Sequence, residues 1–198
     1  MQRGVLVLNN AVESVKRTLA ALEEFQRSGL DAVVEAAQAI SRAFSNGNKL
    51  LAFGNGGSAA DAQHLACELI NRFRLERPSL PGLALTTDPS VITSIGNDYS
   101  FDDIFSRQIK GLGSAGDVAV AISTSGTSVN VLRGLAAARN RGMFNIGFSG
   151  STGGEMGPLC DLFIRAPSDE TPRIQEVHAV AIHLICELVD LKLFGRTQ

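Results

Sequence analysis

The hydrophobic positions change period near residue 49. Before it, Val12, Val15, Leu19, Leu22 and Phe25 recur at helical spacing, as do Leu30, Val33, Val34, Ala37, Ile40 and Phe44. Ser28-Gly29 separates the two sets and Asn46-Gly47-Asn48 closes the second, so residues 1–48 predict an N-terminal helical hairpin. From Lys49 onward the apolar residues gather into short runs at 50–53, 83–86, 118–122, 144–148 and 162–164. Each run is followed by a glycine- or serine-rich turn and then a helical pattern. Runs apolar on both faces, alternating with helices, predict a five-stranded parallel sheet in a doubly wound α/β core at 49–198. The last pattern, 172–194, predicts a closing helix with Pro172 in its first turn and Ser168, Asp169 or Thr171 as its cap. With no linker, repeat or low-complexity tract, residues 1–198 read as a single domain.

Composition narrows the classes. A 44% hydrophobic, 19% charged chain is not a disordered one. The net charge of −2 and the scattered lysines and arginines speak against a sequence-independent grip on nucleic acid. Cys67, Cys160 and Cys186 form no CxxC pair and are expected as reduced, buried thiols. The start, MQRGVLVLNNAVESV, lacks the apolar run of a secretion signal. The best membrane candidate, 179–191, is broken by His183, Glu187 and Asp190. A cytoplasmic protein with no membrane or nucleic-acid partner is expected.

Four motifs carry candidate chemistry. Gly54-Asn55-Gly56-Gly57-Ser58 follows the first strand, where glycines admit a ligand to the backbone and to the next helix's free N–H groups. Gly54, Gly56 and Ala59 also fit a loose dinucleotide pattern. The acidic residue that pattern needs is missing, since Asp88 comes too late. After the third strand, Ser123-Thr124-Ser125-Gly126-Thr127-Ser128 offers five hydroxyls and a glycine at a helix mouth, a phosphate cradle that needs no lysine. It is not the GxxxxGK[ST] loop of a nucleoside triphosphatase.

His64 and Glu68, four apart on the helix after the first loop, share one face and can hold a metal or form an ordinary ion pair. Asp61 precedes them by one turn. Gln175, Glu176, His178 and His183 lie on the closing helix. His178 and His183 are roughly 140° apart and cannot serve one site. Gln175 and His183 are separated by about 12 Å along a regular helix. Either that helix starts irregularly, or the two residues act from different subunits, or not all of these residues are ligands.

The order GNGGSAADAQH, GNDYSFDDIFSRQ, STSGTS, TPRIQEVHAVAIH resembles the bacterial phosphoheptose isomerases of the sugar isomerase (SIS) fold over nearly the whole chain. That resemblance implies a flavodoxin-like sheet and a homotetramer with active sites between subunits. It implies a phosphorylated seven-carbon sugar as substrate, with sedoheptulose 7-phosphate becoming D-glycero-D-manno-heptose 7-phosphate for nucleotide-activated heptose and lipopolysaccharide or surface glycans. It implies zinc on His64, Glu68, Gln175 and His183. It also implies Glu68 and His183 as the catalytic pair, with Asp61 and Asp169 as acidic groups near them. Substrate contacts implied are Asn55, Gly56, Gly57, Ser58, Asn97 and Asp98, a phosphate loop of Ser123, Thr124, Ser125 and Ser128, and Gln175. An isomerase of this kind needs a base, an acid and a positive group for the developing oxyanion, which a carboxylate, an imidazole and a Lewis acid supply.

Two other readings compete. Residues 70–73 and 76–81 look like a non-catalytic SIS-fold protein that associates with the replication initiator DnaA, but that relative lacks the carboxylate and final histidine kept here as Glu68 and His183. An isomerase of another phosphosugar would keep the chemistry and change only the pocket length. Independently, two amphipathic helices bring more apolar surface than one small sheet covers, which favours self-association.

Overall fold

The structure is a computed structural model, and it describes residues 2–195. Strands β1 (Leu50–Gly54), β2 (Gly82–Ala84), β3 (Val118–Ile122), β4 (Phe144–Ser149) and β5 (Leu162–Arg165) form one parallel sheet, ordered β2-β1-β3-β4-β5. The helices between and around them are α1 (Gln2–Ser28), α2 (Leu30–Ser45), α3 (Gly57–Ile70), α4 (Pro89–Asp98), α5 (Ile104–Leu112), α6 (Val129–Asn140) and α7 (Thr171–Phe194). The expected doubly wound, flavodoxin-like architecture is present.

Alternation along each strand builds two cores. Leu50, Ala52, Val118 and Val120 pack with Val33 and Ile40 of α2, Leu65 of α3 and Ile182 of α7. Leu51, Phe53, Ala119 and Ala121 face Phe105 and Ile109 of α5 and Leu135 of α6. Each such large side chain, fully buried, contributes about 2 kcal/mol.

The sheet order reverses between β1 and β3, and ligands of such sheets bind outside the strand ends at that point. Register places Gly54 beside Ile122, so the loops after β1 and β3 leave the same edge as neighbours. Gly54 allows it: a Cβ there would lie 2.6 Å from the Ile122 carbonyl oxygen.

Two local expectations are corrected. Glu170, with no side-chain cap, precedes α7, so Ser168, Asp169 and Thr171 do not cap it. The Ser168 hydroxyl accepts the Glu170 N–H instead, at 3.1 Å. Cys186 is buried, but Cys67 is exposed, because it points away from the face of α3 that buries Ala62, Leu65 and Leu69.

α1 is fixed to the start of α7. Arg173 donates to the Ser14 carbonyl at 3.1 Å and hydroxyl at 2.7 Å, and Arg17 pairs with Glu170 at 3.2 Å. Its apolar positions Val12, Val15 and Leu19 remain exposed. No described helix is long and apolar enough to cross a membrane.

His178 has a structural place, fully buried on α7 with its ring edge-on to Phe148. Its Nε2–H donates to the Ser149 carbonyl at 3.1 Å, and Nδ1 has no partner among the described residues. Burial pushes its pKa down to about 4, against the effect of that hydrogen bond. The unfolded chain therefore binds a proton that the fold excludes between about pH 6.5 and 4, and stability falls as pH falls through that window. Asp61, raised to about 6 by burial, works in the opposite sense. Comparison of the wild type with His178→Gln isolates the first effect. Urea unfolding at pH 7 and pH 5 should show the wild type losing about 2 kcal/mol relative to the variant. Equal losses would contradict this account of His178.

Candidate active site

Two helix mouths open at the switch point. α3 starts after Gly56, whose φ of 56° favours glycine, and α6 starts after Ser128. Neither mouth is closed by its own side-chain cap. The first-turn N–H groups of α6 are therefore offered to an anion, whereas in α3 the Ser58 and Ala59 N–H groups already donate to the Asn55 and Gly56 carbonyls at 3.0 Å. Ser128 does not cap α6; its hydroxyl meets that of Ser123 at 3.1 Å. Ser123 Oγ also accepts the Gly126 N–H at 3.2 Å, and Ser125 Oγ accepts from the Thr127 hydroxyl at 3.0 Å. Thr124 is half-buried, and Ser125 and Thr127 are exposed at the rim.

The loop is braced from behind. Gly150 N–H donates to the Thr124 carbonyl at 3.0 Å, and Glu155 N–H to the Gly126 carbonyl at 2.9 Å. Gly126 has φ of 68°, and a Cβ there would sit 2.2 Å from the Gly153 carbonyl oxygen. The two loops are also tied together, because Asn55 and Asn130 exchange amide hydrogen bonds of 2.8 and 2.9 Å. Asn55, expected as a substrate contact, thus spends its side chain on α6. Asn130 and the Gly153-Gly154 turn were not singled out from the sequence, although the paired glycines were a signal.

α3 and α7 lie side by side in the same direction, and their facing residues form rungs. At the first rung Gln175 packs on Gly57, where a Cβ would lie 2.1 Å from the Gln175 amide nitrogen. At the second, His64 Nε2 meets His183 Nε2 at 3.1 Å and Glu68 Oε1 at 3.3 Å. His64 and Glu68 are half-buried and His183 is exposed. Phe73, from the loop after α3, stacks on His183 with ring centres 5.4 Å apart. The sequence marked residues 70–73 only as a resemblance to a non-catalytic relative, not as part of this site.

The ligand atoms of His64, Glu68 and His183 all lie within 4.8 Å of one another. Two imidazoles and a carboxylate are a zinc donor set, and tetrahedral ligands at about 2.0–2.1 Å from zinc stand about 3.3 Å apart. The three side chains fit such an ion. Gln175 lies one rung away, about 12 Å from His183 along the helix, so these three meet without it in one chain. Asp61, a turn before His64, buries Oδ2 without a partner among the described residues. Burial raises its carboxyl to about 6, against the pull of His64. Asp169 is exposed just before α7. Asn97 and Asp98 end α4, exposed and bonded to each other at 2.8 Å. Among the described residues, no hydrogen bond or ion pair joins Asp169, Asn97 or Asp98 to the His64–Glu68–His183 cluster.

The arrangement is a convergent imidazole–carboxylate cluster beside an anion cradle. Comparisons with known proteins agree with it. Residues 12–150 match the SIS domain family. The phosphoheptose isomerase of Maridesulfovibrio salexigens is 51% identical over 94% of this chain and 91% of its own length. That of Burkholderia pseudomallei is 46% identical over 98% of each. Among solved structures, the phosphoheptose isomerase of Neisseria gonorrhoeae superimposes with a TM-score of 0.89 at 40% identity, over 93% of this chain and 98% of that one. That of Francisella tularensis gives 0.90 at 36%, with the same coverage. The chain therefore belongs to the phosphoheptose isomerases, a family of SIS-domain enzymes.

Proposed function

We propose that this chain converts sedoheptulose 7-phosphate to D-glycero-D-manno-heptose 7-phosphate, the entry to nucleotide-activated heptose for lipopolysaccharide or other surface glycans. The observation that carries the reading is His64 of α3 meeting His183 of α7 at 3.1 Å and Glu68 at 3.3 Å, beside the hydroxyl loop. An open-chain heptose phosphate has its carbonyl and its phosphate at opposite ends. Ser123, Thr124, Ser125 and Ser128, with the first turn of α6, take the phosphate. Asn55, Gly56, Gly57 and Ser58 line the path, and Asn97 and Asp98 contact the sugar hydroxyls. Remote binding of the phosphate then positions the reacting carbons.

Glu68 removes a proton from C1 of the ketose and returns one to C2, through a cis-enediolate. His183 moves the proton between O1 and O2, and Asp61 and Asp169 assist the oxygens and ring opening. Zinc, held by His64, Glu68 and His183 and reached by Gln175 from a neighbouring subunit, supplies a Lewis acid for the two oxygens when bound. We propose a homotetramer whose subunits complete one another's sites. The exposed apolar face of α1 supports it. The cytoplasm, where the phosphosugar pool lies, is the proposed location.

The mechanism is tested by turnover in deuterium oxide. Repeated passage through the enediolate should accumulate deuterium at C1 of the ketose and C2 of the aldose. Deuterium-free product after many turnovers would overturn the proton-transfer mechanism. Chelation should abolish turnover and zinc restore it, and full activity of metal-free protein would contradict the zinc assignment. Gly57→Ala should fold normally, since only the flexible end of Gln175 is in its way. It should lower kcat/KM about 10-fold by displacing that amide. Unchanged kinetics would show that the Gly57–Gln175 contact has no part in the site.

A further inference from the structure

Beyond the end of α3, Arg77 of the following loop forms a buried ion pair with Asp190 of α7, and several of its bonds end on backbone next to groups of the cluster. Arg77 Nε donates to Asp190 Oδ1 at 2.7 Å, with both side chains almost wholly buried. Arg77 also donates to the carbonyls of Glu68 and Leu69, each at 2.8 Å, and so closes the C-terminal turn of α3. The second oxygen of Asp190 faces the backbone N–H groups of Arg74 and Leu75 at 3.4 and 3.5 Å. Those two residues directly follow Phe73, whose ring lies against His183. Asp190 itself stands two turns beyond His183 on α7.

The geometry points to Arg77 and Asp190 as positioning residues for the site. The pair fixes the backbone of Glu68, the ring of Phe73 under His183 and the offset of α7 along α3 that brings His183 to His64. A purely structural link at this place would be served as well by apolar packing, because desolvation offsets much of the attraction within a buried ion pair. What apolar side chains cannot do is hold two helix-end carbonyls and two loop amides at once. The inference rests on the proposed roles of Glu68 and His183, but its first readout does not depend on any activity.

That readout is the histidine NMR spectrum of the metal-free oligomer. The chain has three histidines, and one of them, His178, is buried elsewhere. Stacking on Phe73 should give His183 ring signals a ring-current shift, identified by its loss in Phe73→Leu. Asp190→Asn and Arg77→Lys should lose that shift while His178 signals stay in place. Zinc affinity of the same variants should fall about 10- to 100-fold, and kcat should fall with KM within about 3-fold of wild type. Arg77→Lys keeps the charge and guards against a variant that fails to fold. A folded variant with an intact His183 shift and wild-type zinc affinity would overturn the inference. Inactive wild-type protein with these shift and affinity changes intact would count against the heptose reading alone.

Discussion

Glu68→Gln is expected to lower kcat on sedoheptulose 7-phosphate by about 1,000-fold, with KM nearly unchanged. The substitution keeps side-chain length and a polar end beside His64, whose Nε2 lies 3.3 Å from Oε1 in the native protein. It removes the basic oxygen. Oε1, on the His64 side, would hold a metal, and the other oxygen would then carry the proton. A zinc ligand is a weaker base, so the two duties pull against each other. Zinc content measured alongside the kinetics separates them. A 1,000-fold loss with zinc retained assigns proton transfer to Glu68. A loss that tracks missing zinc and is rescued by excess metal assigns it to holding the ion. Activity within about 10-fold of wild type would remove Glu68 from the mechanism.

The second large effect is expected from Gly126→Ala. The position combines φ of 68° with a backbone carbonyl 2.2 Å from the added Cβ. Neither Gly126 nor Gly153 has a flexible side chain to move aside. The loop must separate from the Gly153-Gly154 turn, breaking the Glu155 to Gly126 hydrogen bond. Left-handed backbone and overpacking together cost about 2–4 kcal/mol. For a chain of this size the melting temperature should drop by roughly 10 °C. The hydrogen bonds that hold Ser123 to Ser128 and to the Gly126 N–H are then disturbed, and kcat/KM should fall about 100-fold. Inhibition by inorganic phosphate should weaken in parallel. A destabilised variant whose kcat/KM and phosphate inhibition are those of the wild type would show that the loop does not bind phosphate.

The sheet was legible because each of its strands is a short apolar run between segments of different pattern. The edge strand shifted by one residue at its start and two at its end. Thr86, read as its last residue, turns its hydroxyl to Gln63 and Ala59 instead of extending the ladder. The i, i+4 spacing of His64 and Glu68 was legible too. That His183 joins them was not, because it depends on the alignment of α3 with α7 across more than a hundred residues; only the resemblance to a known family suggested it. Helical rise alone separated Gln175 from His183, and a regular α7 keeps them a rung apart in one chain. The place of Phe73, Arg77 and Asp190 beside the site was not legible, because it depends on how an irregular loop after α3 folds back onto α7, with no period to read. Asn130 escaped because a buried amide partner has no local mark.

Isomerisation of a seven-carbon ketose phosphate is the reaction this cluster and cradle are expected to perform. Its most direct test is phosphorus and proton NMR of purified, zinc-supplied protein mixed with sedoheptulose 7-phosphate and an equal amount of fructose 6-phosphate. Conversion of the heptulose to the aldoheptose phosphate is expected, with the six-carbon ketose turned over at least about 10-fold more slowly. Folded, zinc-supplied protein that leaves the heptulose unchanged, or that prefers the shorter sugar, would contradict it.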